Sequence, residues 1–149
     1  MSSTILKVRE HPGIGSLLRH AYQRVRTIIY EGIREKGFTD LNPAHLMLFR
    51  YEGLDGKRPT QLAEEMQITK QSINSLIRDL EERGYIELSD DPDDKRARLI
   101  RLTKRGKQLE TAIWSQVLAA EEEFTKILGK SEFENLYRML TLLKNNQAG

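Results

Sequence analysis

The sequence predicts a mainly α fold with one small β element (α+β). Two observations predict it. Apolar residues recur at helical spacing over long stretches toward both ends of the chain. Between them, short helical segments lead into two short alternating segments joined by a charged loop. At 149 residues the chain is long enough to bury a real core as one compact unit.

Ile14, Leu17, Leu18, Ala21, Val25, Ile28, Ile29 and Ile33 form one stripe on a long first helix that Gly37 ends. A stripe of this length buries itself against another helix or against a second subunit. Asn42-Pro43 reads as N-cap and first helical position. The short helix they open, Ala44 to Tyr51, packs Leu46, Met47 and Phe49 or Leu48. Gly53 to Lys57 is a loop, and Pro59-Thr60 opens another short helix through Met66. Thr69 caps the next helix, which runs to about Arg83, buries Ile73, Leu76, Ile77 and Leu80, and stops at Gly84.

Tyr85–Leu88 and Arg98–Leu102 alternate as two strands, joined by a hairpin loop from Asp90 to Ala97. Thr103 starts a long helix carrying Leu109, Ala112, Ile113, Val117, Ala120, Phe124, Ile127 and Leu128, broken at Gly129. Ser131 and Glu134 have capping-box spacing and open a last helix with Phe133, Leu136, Leu140 and Leu143. Asn145 to Gly149 reads as a frayed tail.

The net charge of +2 is nearly balanced, but its distribution is not. From Lys95 to Lys107 every charged residue is basic, directly after the acids Asp90, Asp91, Asp93 and Asp94. A local basic cluster is the footprint of a polyanion contact, or else a solvated charged turn. The absence of cysteine removes disulfides, thiolate zinc sites and cysteine-based oxidation sensing. His11, His20 and His45 are scattered without ligand-pair spacing, so no metal and no cofactor are expected. No nucleophile, base and orienter stand at recognisable spacing, which argues against an enzyme. Met1 to Lys7 lack a signal-peptide core and no apolar run reaches membrane-spanning length, so a cytoplasmic protein without membrane contact is expected.

The helix after Thr69 has the division of labour that reading DNA requires. One face is apolar; the other carries Gln71, Ser72, Asn74, Ser75 and Arg78. Gln and Asn pair with adenine, Ser with either donors or acceptors, and Arg with guanine or phosphate. Lys70, at the positive end of the helix dipole, is placed for a phosphate. An ordinary solvated surface helix has the same pattern, and the following hairpin decides between the two.

Thr69-Lys70-Gln71-Ser72-Ile73-Asn74-Ser75-Leu76-Ile77-Arg78, then Asp91-Pro92-x-Asp94-x-Arg96, then Leu102-Thr103-x-x-Gly106 together resemble the winged helix-turn-helix of the MarR family of transcriptional regulators. The resemblance covers nearly the whole chain, since long helices flank the motif on both sides as they do in that family. It implies an N-terminal dimerisation helix in 1–40, a DNA-binding lobe in 41–104 and C-terminal dimerisation helices in 105–149. It further implies a homodimer on double-stranded DNA, acting as a repressor of a pseudo-palindromic operator with half-sites roughly one helical turn, ~34 Å, apart. A winged-helix module that sequesters another regulator is the competing reading; the polar readers and the wing arginines favour DNA.

Within the hairpin, Pro92 stiffens the loop entry, and Asp91 and Asp94 stabilise the wing, Asp94 by pairing with Arg96 or Arg98. Arg96 either enters a narrow minor groove or serves as a structural ion pair, and both roles remain open. Lys95 belongs with it among the DNA contacts. Arg98 departs from the small or apolar residue usual in the family and adds a phosphate contact or lines the outer strand. The resemblance also implies a small phenolic or other anionic effector. Its candidate residues are His20 and Arg24, one turn apart on the first helix, with Tyr22, Tyr51 or Trp114 to stack on a ring.

Overall fold

The computed structural model describes residues 11–146. Among these residues, six helices and a two-stranded sheet follow in order: α1 (Ile14–Glu35), α2 (Pro43–Leu48), α3 (Pro59–Met66), α4 (Lys70–Glu82), β1 (Ile86–Asp91), β2 (Asp94–Leu102), α5 (Lys104–Leu128) and α6 (Lys130–Asn145). They fall into two compact units, residues 29–116 and a second formed by residues before 29 and after 116. The tail expected from Asn145 begins later, since Asn145 is the last residue of α6 and Asn146 its C-cap; the rest of it, 147–149, and the leading segment Met1 to Lys7 lie outside the described residues.

The 29–116 unit is built around Ile33, Leu46, Leu48, Phe49, Leu62, Ile73, Leu80, Tyr85, Ile100, Leu109 and Ile113, all but removed from water. Each such aliphatic or aromatic side chain contributes ~1.5–3 kcal/mol by burial. Two expected caps are formed. Asn42 accepts from the backbone N–H of His45 at 3.1 Å, with Pro43 at the first helical position. Thr69 accepts from the backbone N–H of Ser72 at 3.0 Å. Between α3 and α4, Gln67 adopts the left-handed conformation (φ 55°) that turns the chain from one helix into the next.

Three local expectations are corrected. The α2 helix ends at Leu48, not Tyr51, because Arg50 and Tyr51 donate to carbonyls only three residues back and tighten the chain into a turn. With that shorter helix, Leu46, Leu48 and Phe49 are buried and Met47 is half-buried. The segment read as a long loop, Asp90 to Ala97, is mostly strand: β1 and β2 pair in antiparallel register from Ile86↔Leu102 to Asp90↔Arg98, and only Pro92 and Asp93 turn, beyond an irregularity between Asp90 and Asp91. Ser131 does not cap α6. The helix starts one residue earlier, after Gly129, which at φ 86° makes the break between α5 and α6 and leaves Ser131 inside the first turn.

The wing is held at its base and at its flank. At the base, the loop before α3 pairs with β2: Gly56 donates to Ile100 at 2.6 Å, Ile100 donates to Lys57 at 2.9 Å, and Leu102 donates to the Asp55 carboxylate at 3.1 Å. These bonds occupy strand groups that an edge would otherwise expose. At the flank, Asp91 is 5% exposed, and its carboxylate receives the Arg58 Nε at 2.7 Å, the Arg58 Nη2 at 2.6 Å and the Asp93 backbone N–H at 2.9 Å. The Asp93 N–H and then the Arg58 guanidinium hold the Asp91 carboxyl below the usual carboxylate range.

A second polar knot joins the end of α4 to the start of α5. The Tyr85 hydroxyl donates to Asp40 at 2.6 Å, and the Arg105 guanidinium lies 4.4 Å from the Tyr85 ring centroid while donating to the Arg83 carbonyl and to Asp40. Burial and the Asp40 acceptor push Tyr85 up to about 12. Burial raises Asp40 as well, but the Tyr85 hydroxyl and the two arginines outweigh it and leave the carboxyl below its ordinary value. Thr103 caps α5 by accepting from the Gly106 N–H at 3.1 Å. At Gly106 the helix presses so closely on the residue before β1 that a Cβ would clash with the Tyr85 carbonyl oxygen.

The second unit is differently finished. Ile14, Leu17, Leu18, Leu118, Ile127, Tyr137, Leu140, Leu142 and Leu143 are each more than two-fifths exposed, and α6 has no buried residue. Arg24 pairs with Glu123 at 2.8 Å.

Two outcomes follow from this packing. Gly106→Ala should lower stability by ~1–3 kcal/mol or more in urea unfolding, because the obstacle is backbone and not a flexible side chain. Since Asp91 titrates lower when folded, its contribution is complete above the unfolded carboxylate value and is lost as pH falls through the folded one. Asp91→Asn should therefore melt lower than the parent at neutral pH, with the gap closing in thermal melts as pH falls through and below the ordinary carboxylate range. A gap independent of pH would mean that the charge is not what holds the wing.

Candidate nucleic-acid interface

The apolar residues Ile73, Ile77 and Leu80 hold α4 against the body of its unit, with Leu76 half-buried beside them. That anchoring turns Lys70, Gln71, Ser72, Asn74, Ser75 and Arg78 outward, and all six are exposed. The cap has a cost for one of them: the Thr69 hydroxyl donates to the Ser72 Oγ at 2.9 Å, so Ser72 keeps its own proton to give but has one acceptor site filled. The others present groups able to pair with base edges.

Lys95, Arg96 and Arg98 are exposed on β2. Asp94 does not pair with the Arg96 or Arg98 side chain. Its carboxylate instead accepts the Arg96 backbone N–H at 2.9 Å, and Arg98 donates to the Leu88 carbonyl across the hairpin at 3.1 Å. A carboxylate that caps the turn through the backbone leaves the neighbouring guanidinium unclaimed. Among the described residues Arg96 enters no ion pair. The wing's ion pairs are made by Asp91 with Arg58 and, at its base, by Arg101 with Asp55.

A cleft of about 450 Å³ is lined by Arg58, Thr60 and Asn74 together with Arg96 and Arg98 of the wing. Asn74 from α4 and two arginines from β2 thus line one concave surface. Arg58 and Thr60 were not legible as site residues. A single Arg before a helix-opening Pro follows no periodic pattern, and its partner lies 33 residues away. The signal available was the pair of opposite charges flanking the reading helix.

The effector candidates are divided between the two units. His20, Tyr22 and Arg24 belong to one unit, Tyr51 and Trp114 to the other. His20 bonds the Ser16 carbonyl through Nδ1 at 2.8 Å, and the Arg26 guanidinium lies 5.9 Å from the Tyr22 ring centroid. An apolar pocket of about 230 Å³ is lined by Ala21, Phe124, Ile127, Leu128 and Leu136; of the five candidates only Arg24 touches it. Tyr51 is half-buried and Trp114 is 46% exposed. Among the described residues no group of three or more acidic or histidine side chains is placed to hold a metal ion, and no helix is long and apolar enough to cross a membrane.

Comparison with known proteins agrees with this geometry. A MarR family model matches residues 37–97. The uncharacterised HTH-type transcriptional regulator YdcH of Bacillus subtilis is 30% identical over 120 residues, covering 79% of this chain and 82% of YdcH. The HTH-type transcriptional repressor NicR of Pseudomonas putida is 28% identical over 96 residues, 64% of this chain and 60% of NicR, so the match spans about three fifths of that relative's length. A mutant MarR of Escherichia coli, in a structure complexed with operator DNA, shares the fold at a TM-score of 0.71 and 19% identity, over 87% of this chain and 92% of that one. The mostly helical chain with its two-stranded wing is a winged helix, and it belongs to the MarR family of transcriptional regulators.

Proposed function

We propose that this chain is a sequence-specific DNA-binding regulator that works as a dimeric repressor of a pseudo-palindromic operator. The observation that carries the proposal is the pairing of two surfaces on one unit: an α4 face that, from Lys70 to Arg78, presents exposed groups able to pair with base edges or phosphates, and beside it a wing presenting an uncommitted Arg96. In this reading α4 enters the major groove and Gln71, Asn74 and Arg78 read bases. Lys70 and Lys95 contact phosphates, and Arg96 enters the adjacent minor groove, where negative potential favours Arg.

Dimerisation is supported by the second unit. Leu17, Leu118, Leu140, Leu142 and Leu143 are large apolar side chains left exposed on this unit, the kind of surface that marks an interaction site, and a second copy is the occupant the family relationship suggests. Repression is supported by the description of NicR as a repressor, and DNA as the partner by the operator bound to the E. coli MarR variant. A one-ring aromatic acid is the effector class that suits an apolar pocket with Arg24 at its edge, its carboxylate displacing Glu123 from the Arg24 guanidinium, and its binding would release the operator by shifting the protein between two forms.

Selection of bound duplexes from a random pool by the purified protein tests the reading. A two-fold symmetric motif with salt-sensitive affinity is expected; sequence-blind binding would instead favour the protein-interaction reading. On the selected duplex, Arg96→Ala should weaken specific and random binding alike and lower the salt slope by about 1, whereas Gln71→Ala should cost ~1–3 kcal/mol on the operator only. Benzoate-type acids should raise the melting temperature and lower operator affinity. If both stay unchanged, the effector is removed from the account.

A further inference from the structure

His45 is a buried titratable group that none of the roles above uses. It is 1% exposed, and both of its ring nitrogens are engaged. Nδ1 lies 3.1 Å from the Asn42 backbone nitrogen, which can only donate, so Nδ1 is bare. The neutral ring then carries its proton on Nε2, 3.2 Å from Oδ2 of Asp79 on α4. One imidazole therefore links the capped start of α2 to the helix that carries the base-reading side chains.

The position of Asp79 calls for a reason. Its side chain is 42% exposed on a helix that, in the reading above, approaches phosphates, where a carboxylate opposes binding. The rest of the face that holds α4, namely Ile73, Ile77 and Leu80, is apolar. Apolar burial is non-directional and resists rotation of a helix about its own axis only through shape. A hydrogen bond has a direction and a narrow distance window. A roll of about 10° moves a side-chain tip ~6 Å from the helix axis by about 1 Å, enough to break a two-bonded contact with a base edge.

We infer that the Asn42–His45–Asp79 relay is a positioning device that sets the roll of α4 and so aims Gln71, Asn74 and Arg78 at their bases. His45 and Asp79 are positioning residues: they act through the reading side chains and touch no DNA. The inference rests on the DNA-reading function proposed above. Its signature is loss of discrimination without loss of general affinity, because phosphate contacts tolerate small rotations and base contacts do not.

His45→Ala also removes a component of the α2 cap, so the informative changes are at Asp79. Asp79→Asn removes the charge but keeps an oxygen to accept from Nε2; Asp79→Ala removes both. Affinity for the selected operator and for a scrambled duplex is measured by fluorescence anisotropy at one salt concentration, on proteins shown folded by thermal melting. Both variants should bind the scrambled duplex equally and more tightly than the parent. Asp79→Asn should keep the operator-to-scrambled ratio within about twofold of the parent, while Asp79→Ala should lower it about tenfold. Equal ratios for the two variants would overturn the positioning role and leave the DNA-reading function standing. Absence of any operator preference in the unmodified protein would instead overturn that function, and the relay's role with it.

Discussion

A carboxylate that loses water must find donors, and the wing of this protein is arranged around one that does. Asp91 gives up solvent for the Arg58 fork and the Asp93 N–H. The consequences run outward from there. The turn shortens to Pro92 and Asp93, the strands extend nearly to their tips, and β2 carries Lys95 and Arg96 out into solvent. Because the buried carboxylate takes Arg58 and Asp94 takes only a backbone N–H, Arg96 is left without an ion-pair partner among the described residues. The proximity of acids to bases at the tip is therefore compatible with a free arginine, since Asp91 and Asp94 are satisfied elsewhere.

The same economy governs the reading helix. A helix that offers polar groups to a partner has only its opposite face with which to hold on. In α4 that face is short: Ile73, Ile77, Leu80 and the half-buried Leu76. Its ends are fixed by polar devices, the Thr69 cap at the start and the knot of Arg83, Asp40, Tyr85 and Arg105 at the finish. The His45–Asp79 bond lies between them. Gly106 lets the start of α5 close onto the residue before β1 without a Cβ in the way, which completes the support from behind.

What was legible in the sequence was local. Asn42-Pro43 and Thr69 announce helix starts because capping is settled within four residues, and the stripes on α1 and α5 announce themselves by period alone. The exposed face of α4 was legible for the same reason. What was not legible depended on partners far along the chain. Four acids around a Pro read as loop, since nothing nearby says that Arg58 and the 55–57 segment hold them in a sheet. Ser131 and Glu134 fit a capping pattern, but Gly129 already ends one helix and begins the next. His45 looked like one of three scattered histidines; only the fold sets it against Asp79.

The most direct test of the account is a chemical-protection footprint of the protein on its selected duplex, read in both grooves. The account predicts two patches of major-groove protection about one helical turn, ~10 bp, apart, each with an adjacent patch of minor-groove protection. Protection spread evenly along the duplex, or confined to one groove, would contradict the claim that α4 and the wing read DNA together.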